Sequence, residues 1–112
     1  MIIAVGDIYA QLSRREPVRE LMRSTAPRML EEPGCVSYVF AETLEDPGHF
    51  VVVQQWRDQD AFERHYRGPA FAEYRERIGD SLARISELHV HVVGESYTPT
   101  DEDAELGPPD VE

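Results

Sequence analysis

The 112-residue sequence contains no lysine and a single cysteine, Cys35, and each shortage excludes a class of chemistry. Without a lysine amine, the protein cannot form a Schiff base with a carbonyl substrate. One cysteine cannot make an intrachain disulfide or a metal site built from several thiolates. Enzymes that work through a lysine imine or a dithiol are therefore excluded.

Long apolar runs are also missing, and acidic residues outnumber basic ones 22 to 11. No stretch approaches the roughly 18 apolar residues that a membrane-spanning helix needs. The N-terminal MIIAVGDIYA lacks the basic start and the cleavage site of a signal peptide. A net charge of −11 disfavours nucleic acid and anionic membrane surfaces, because both attract clustered cations. We therefore expect a cytoplasmic protein with neither partner.

The composition, with 41% apolar and 29% charged residues, is typical of one small globular domain. The charge is unevenly distributed, since six acidic residues and no arginine follow Tyr97. We therefore predict one domain over residues 1–97 and an acidic, proline-containing, mobile tail over residues 98–112.

The pattern of apolar residues predicts strands over residues 2–10, 35–42, 49–57 and 88–96. Asp46-Pro47-Gly48 predicts a turn that joins the second and third strands as a hairpin. With one helix after the first strand and one before the last, the order is βαββαβ. This order is typical of a ferredoxin-like α+β sandwich, with an antiparallel four-stranded sheet and both helices on one face.

The two helices carry recognisable start and break signals. Ser13 and Glu16 fit a capping box at the start of the first helix, and Pro27 is expected to kink or restart it. In the second helix, Gly68-Pro69 predicts a break into two parts, and Asp58 is the expected N-cap of the first part. Apolar residues at helical spacing predict that its second part continues to Ile85.

Both faces of the predicted sheet carry apolar side chains. The third strand offers Phe50, Val52 and Trp56 on one side and Val51 and Val53 on the other. Two helices cover only one face, whereas an open antiparallel face normally alternates apolar with polar residues. We therefore predict a homodimer in which a second copy of the sheet covers the other face, with packing of the acidic tail as the alternative.

Local signatures of nucleotide-dependent or zinc-dependent catalysis are absent, so the candidate site residues are isolated polar and aromatic side chains. His65 could take a proton from a phenolic substrate, or could simply close its short helix. Trp56 could stack on a planar ligand and donate a hydrogen bond, or could belong to the core. Asp7, within an apolar strand, could be a pocket carboxylate or a hydrogen-bonded edge residue.

The sequence has more aromatic residues than a core of this size requires. They suit a flat aromatic ligand. Those that lie at helical spacing on one face of the second helix are also typical of a core. The predicted ligand-binding members are Phe40, Phe62, Tyr66, Phe71 and Tyr74.

Other potential metal ligands and nucleophiles are assigned no role in catalysis. His89 and His91 lie two apart on one strand and would need a third ligand to hold a metal, so we expect no metal and place them towards the dimer or solvent. Cys35 is expected to behave as a small apolar residue.

Three segments of the sequence resemble the antibiotic biosynthesis monooxygenase family of the dimeric α/β-barrel superfamily. They are EEPGCVSY (31–38), VVQQWRDQDAFERH (52–65) and GPAFAEY (68–74), and the resemblance covers about residues 2–97. It implies a ferredoxin-like protomer whose sheet pairs with that of a second copy to form a barrel.

The resemblance implies a cofactor-independent monooxygenase that oxidises a quinol, or a polyketide anthrone or naphthol, with O₂. In such members the substrate is itself the reductant, because loss of a phenolic proton gives an anion that can pass an electron to O₂. At the matching positions of this sequence, His65 is then the base or hydrogen-bonding partner, and Trp56 orients the substrate or a peroxide.

The sequence departs from two branches of the family. Val52 stands where anthrone oxygenases carry an asparagine. Ile8 and Arg75 stand where haem-degrading members carry an asparagine and a haem-ligating histidine, which disfavours haem degradation. Two alternatives to the oxygenase remain: a polyketide cyclase or isomerase that uses the same pocket without O₂, and a non-catalytic accessory dimer that binds a small molecule.

Overall fold

The computed structural model describes residues 1–100, which fold as a four-stranded antiparallel sheet with three helices. The strands are β1 (Ile2–Tyr9), β2 (Cys35–Glu42), β3 (His49–Trp56) and β4 (Glu87–Val92), in the spatial order β2-β3-β1-β4. The helices are α1 (Arg15–Leu30), α2 (Gln59–Tyr66) and α3 (Pro69–Gly79). This confirms the ferredoxin-like α+β fold.

No helix within residues 1–100 is both long and apolar enough to cross a membrane. Most of the predicted acidic tail, from residue 101 onwards, lies outside the described residues.

The core lies between the helices and one face of the sheet. Burial alternates along β1, where Ile2, Ala4, Gly6 and Ile8 are buried and the residues between them are half-buried. On β3 the buried residues are Phe50, Val52, Gln54 and Trp56. They pack against apolar side chains of the three helices, including Val18, Met22 and Met29 of α1, Phe62 of α2, and Tyr74 and Ile78 of α3.

The start of α1 differs from the prediction, and the predicted restart of the helix at Pro27 does not occur. Ser13 lies in a 3₁₀ turn before α1, and the N-cap is Arg14, whose side chain makes no capping bond, so the predicted capping box was wrong. The helix also runs through Pro27 without a break. Pro27 and Arg23, the residue one turn earlier whose carbonyl loses its partner, are both exposed, so water can satisfy that carbonyl.

The break before Pro69 is confirmed, but the predicted helix end at Ile85 was wrong. The second part, α3, ends at Gly79 because the chain then turns back to extend the sheet. Leu82 forms an isolated bridge with Ala10, and the Ala83 amide donates to the Tyr9 carbonyl over 2.7 Å. Ile85 is 88% exposed. Backbone pairing with the end of β1 therefore overrides the helical spacing.

Two local features set the position of α2 against the sheet. Asp58 is the N-cap, as predicted, and its carboxylate accepts from the Ala61 amide over 2.9 Å. Gly34, with φ of +86°, approaches the same turn so closely that a Cβ there would lie 2.5 Å from the Ala61 Cβ. The loop before β2 and the start of α2 are therefore in direct contact.

The other face of the sheet has no helix over it anywhere in residues 1–100. Its side chains alternate with the core residues and include the apolar residues Ile3, Val5, Val39, Val51 and Val53. Val39 is 52% exposed and Val53 is 39% exposed. The apolar character predicted for both faces is therefore present, while the homodimer stays a prediction.

Candidate active site

A cavity of about 350 Å³ lies between the sheet and α3. Its size is within the range of clefts that bind small molecules. Gly6 of β1 makes room for two of its wall residues, because a Cβ there would lie 3.0 Å from Val52 and 3.1 Å from Leu88. The residues that line the cavity are Ile8, Tyr38, Phe40, Val52, Gln54, Tyr66, Phe71, Tyr74, Arg75, Ile78, Leu82, Ser86, Glu87 and Leu88.

Four of the five predicted aromatic residues line this cavity: Phe40, Tyr66, Phe71 and Tyr74. The Tyr74 ring lies 5.8 Å from Phe40 and 6.0 Å from Phe71, measured between ring centroids. The fifth, Phe62, is buried in the core and stacks on Tyr66 from outside the cavity. The structure therefore brings together rings from β2, α2 and α3 as walls for a flat ligand.

His65 lies one layer behind the cavity and does not line it. It is 2% exposed, with Nδ1 2.9 Å from Glu32 Oε1 and Nε2 3.3 Å from Tyr38 Oη. Because a carboxylate only accepts hydrogen bonds, Nδ1 carries the ring proton and Nε2 accepts from the Tyr38 hydroxyl. Glu32, His65 and Tyr38 therefore form a continuous proton chain that ends at the cavity wall.

The surroundings of His65 keep its imidazole neutral. Its ring stacks on Trp56 at 4.7 Å and contacts Phe71 at 4.9 Å. Burial lowers the pKa of His65 below its usual 6.5, although the Glu32 carboxylate acts in the opposite direction. A neutral imidazole at pH 7 is able to accept a proton.

Tyr38 is the member of the proton chain that reaches the cavity. Burial is the main cause that raises its pKa well above the usual value of 10, with smaller contributions from Tyr74 and Glu32. The hydroxyl therefore stays protonated at neutral pH. It can pass its proton to His65 only as it receives another from the cavity.

Trp56 is also placed one layer behind the cavity. It is fully buried, and its indole Nε1 donates to Gln54 Oε1 over 2.9 Å. Gln54 is itself only 1% exposed and lines the cavity. Trp56 therefore contacts the cavity through Gln54, much as His65 contacts it through Tyr38.

Glu32 and Gln54 were not among the predicted site residues. Gln54 could have been found from the sequence. It is a polar residue two positions before Trp56, and the alternation of the strand places it on the buried face. Glu32 had none, since it precedes β2 in a loop and meets His65 only through the tertiary fold.

Asp7 is not brought to the cavity, contrary to the pocket role considered for it. Neighbouring residues of a strand point to opposite faces, and Ile8 takes the cavity side, so Asp7 lies on the uncovered face. There its Oδ1 lies 2.8 Å from His49 Nε2. Of the two alternatives considered for Asp7, its position agrees with that of a hydrogen-bonded residue.

The remaining histidines and Cys35 also lie away from the cavity lining. His89 and His91 pair with Val5 and Ile3 on the uncovered face, and within residues 1–100 no three metal-binding side chains cluster. Burial, with a smaller effect of Glu32, raises the pKa of the half-buried Cys35 thiol to about 11. The thiol is therefore protonated at neutral pH.

A second groove, of about 270 Å³, lies between α1 and β2. Its two arginines are already paired, Arg19 with Glu16 and Glu42, and Arg23 with Glu20. The groove therefore offers no unneutralised charge to a ligand, whereas Tyr38 brings one end of the proton chain to the aromatic cavity. The aromatic cavity is the candidate site.

Comparison with known proteins identifies the family of this chain and agrees with its fold. A family model described as "Antibiotic biosynthesis monooxygenase" matches residues 1–77. The "Uncharacterized protein sll1783" of Synechocystis is 29% identical over 97 residues, which are 87% of this chain. The chain spans 66% of that relative, just under two thirds of its length. "Putative monooxygenase Rv0793" of Mycobacterium tuberculosis is 28% identical over 81 residues, covering 69% of this chain and 79% of that protein.

Solved structures show the same fold. A Deinococcus radiodurans protein described as "a putative antibiotic biosynthesis monooxygenase" superposes with a TM-score of 0.83 at 23% identity, covering 89% of this chain and 99% of that one. The structure of Rv0793 gives a TM-score of 0.78 at 23% identity, covering 87% and 98%.

The lowered pKa of His65 predicts a pH-dependent stability. Below pH 6.5, His65 binds a proton more readily in the unfolded state than in the folded state. The contribution of neutral His65 to the free energy of unfolding is therefore fully present above pH 6.5 and is lost as the pH falls. Urea denaturation between pH 7 and 5 should show that the free energy of unfolding decreases less steeply in His65→Gln than in the wild type. The exposed-residue control, His89→Gln, should keep the wild-type slope. Equal slopes in all three proteins would contradict the assignment.

Proposed function

Because this chain belongs to the antibiotic biosynthesis monooxygenase family, we propose that it is a cofactor-independent monooxygenase acting on an electron-rich aromatic, of the quinol, anthrone or naphthol type. The observation that supports the proposal most is the proton chain, in which the cavity-lining Tyr38 hydroxyl is backed by the buried pair His65 and Glu32. An electron-rich phenol becomes reactive towards O₂ once it is ionised.

The cavity walls support a flat aromatic substrate. Phe40, Phe71 and Tyr74 present ring surfaces on which a planar ligand can stack, and stacked or tilted aromatic pairs are attractive. Arg75 lies at the same wall, its guanidinium 5.0 Å from the Phe71 ring and 5.7 Å from the Tyr66 ring. These contacts pack the Arg75 guanidinium against the aromatic wall of the cavity.

In the proposed first step, the substrate hydroxyl gives its proton to Tyr38 Oη as Tyr38 gives its own proton to His65 Nε2. The two transfers occur together, because the raised pKa of Tyr38 disfavours a free tyrosinate. The substrate O–H bond breaks, an Nε2–H bond forms, and the Glu32 carboxylate stabilises the resulting imidazolium. Tyr38 is the residue that touches the substrate, and His65 acts through it.

In the second step, the substrate anion passes one electron to O₂, and the two radicals combine as a peroxide on carbon. The proton held by His65 returns through Tyr38 to the peroxide. The O–O bond and the C–H bond on the same carbon then break, which releases water and leaves a carbonyl. One oxygen atom enters the product and the other leaves as water, and the substrate supplies all four electrons. No electron carrier is needed in this balance.

The proposal is tested with metal-free protein and a panel of hydroquinones, anthrones and naphthols, with and without O₂. We expect O₂-dependent product that has gained one oxygen atom, and we expect Tyr38→Phe and His65→Ala to reduce the rate roughly 10²- to 10⁴-fold. Tyr9→Phe is the control, because Tyr9 lies on the opposite face of the sheet. A substrate acidic enough to ionise in water should largely rescue both slow variants.

Other results would contradict the oxygenase. Conversion at the same rate without O₂ would indicate the cyclase or isomerase. Binding without any conversion would indicate the accessory dimer. Full activity in folded Tyr38→Phe would show that the proton chain takes no part.

We also propose that the uncovered sheet face is the interface of a homodimer, because its exposed valines are apolar surface that a second sheet would remove from water. Sedimentation at micromolar concentration should give twice the chain mass of 12.8 kDa. Val53→Arg should produce monomers, whereas Leu44→Arg, at an exposed residue outside the sheet, should not. A monomeric wild type would overturn this proposal.

A further inference from the structure

The sheet side of the cavity carries two polar side chains on adjacent strands. Tyr38 of β2 and Gln54 of β3 are directly paired in the sheet register, so their Cβ atoms are about 5 Å apart on the same face. Each is held by a buried ring that does not itself line the cavity, Tyr38 by His65 and Gln54 by Trp56. Their hydrogen-bonding directions are therefore fixed before any ligand arrives.

Tyr38 presents an acceptor to the cavity. Its hydroxyl proton is directed to His65 Nε2, because the other ring nitrogen of His65 donates to Glu32. The lone pairs of Tyr38 Oη therefore remain for a ligand hydroxyl.

Gln54 presents a donor. An indole N–H can only donate, so the carbonyl oxygen of Gln54 has to face Trp56, and its NH₂ group points away from it. Gln54 lines the cavity, so its NH₂ group is left to donate a hydrogen bond to a ligand there. An acceptor oxygen of the ligand would take this hydrogen bond.

Tyr74 adds a group without a partner in the same cavity. Its Oη is the one buried side-chain polar atom within residues 1–100 that lacks a hydrogen bond. Burial of Tyr74 and its place in the cavity wall direct this requirement to the cavity rather than to bulk water. Gln54 and Tyr74 can therefore each form a hydrogen bond with an oxygen atom of the ligand.

From this pattern we propose that the cavity selects a phenol with a second oxygen, carbonyl or hydroxyl, beside the hydroxyl that ionises. The ionising hydroxyl donates to Tyr38 Oη, and the second oxygen accepts from the Gln54 NH₂ group. Where the second oxygen is a conjugated carbonyl, negative charge spreads to it when the phenol ionises, and the fixed donor stabilises it there. Gln54 is thus a specificity-determining residue, and this inference rests on the proposed function because it names the substrate class of the same cavity.

The test compares two ligands that differ only in the second oxygen, 2,3-dihydroxynaphthalene and 2-naphthol. Their dissociation constants are measured without O₂, so that binding is separated from oxidation. We expect the wild type to prefer the dihydroxy ligand about tenfold, the contribution of one well-formed hydrogen bond. Gln54→Met, which keeps the length of the side chain but removes the amide, should lose this preference, so that the ratio of the two dissociation constants falls to about one.

Gln55→Met is the matched control. Gln55 is the next residue of β3 and faces the other side of the sheet, so its replacement should leave the preference intact. A wild type that binds both ligands equally would overturn the inference whether or not the variants fold. A preference that survives in Gln54→Met would overturn it as well.

The outcomes separate this inference from the proposed function. Oxidation of aromatics without the ligand preference would contradict the role of Gln54 and leave the oxygenase standing. A Gln54-dependent preference without oxidation would support the binding pattern and contradict the oxygenase.

Discussion

The candidate site depends on one buried imidazole whose two nitrogens are both engaged. A buried histidine needs partners for both nitrogens, and His65 finds them in Glu32 and Tyr38. Its ring also packs on Trp56 of β3 and Phe71 of α3. A single side chain of α2 thus joins the loop before β2, two strands and the next helix. The close approach of Gly34 to Ala61 holds α2 at the distance that these contacts require.

This arrangement divides the site into two layers, one that lines the cavity and one that orients the first. Side chains of the inner layer, Tyr38 and Gln54, line the cavity, while His65 and Trp56 stand behind them and fix their hydrogen bonds. Rings that are held by packing lose little freedom when a ligand binds, which keeps the inner groups oriented. The division also explains how residues outside the cavity can control a reaction inside it.

The sequence was sufficient for the order of the strands and for most of their bounds, because alternation in β3 and the turn at Asp46-Pro47-Gly48 are strong local signals. It was insufficient where tertiary contacts determine the end of an element or the face on which a residue lies. The end of α3 depends on the pairing of Leu82 with Ala10. The position of Asp7 depends on which of two apolar faces the helices cover, and both faces look alike in the sequence. A shift of one residue exchanges Asp7 for Ile8 at the cavity.

The pH dependence of kcat/KM for a phenolic substrate tests most directly whether the protein removes the proton through Tyr38 and His65. If it does, kcat/KM rises with pH through a midpoint below 6.5, where His65 becomes neutral, and is then flat up to the pKa of the substrate itself. If the phenol instead ionises in water before it binds, kcat/KM follows the ionised fraction of the substrate. It would then climb about tenfold per pH unit until the pKa of the substrate is reached, which would contradict the account.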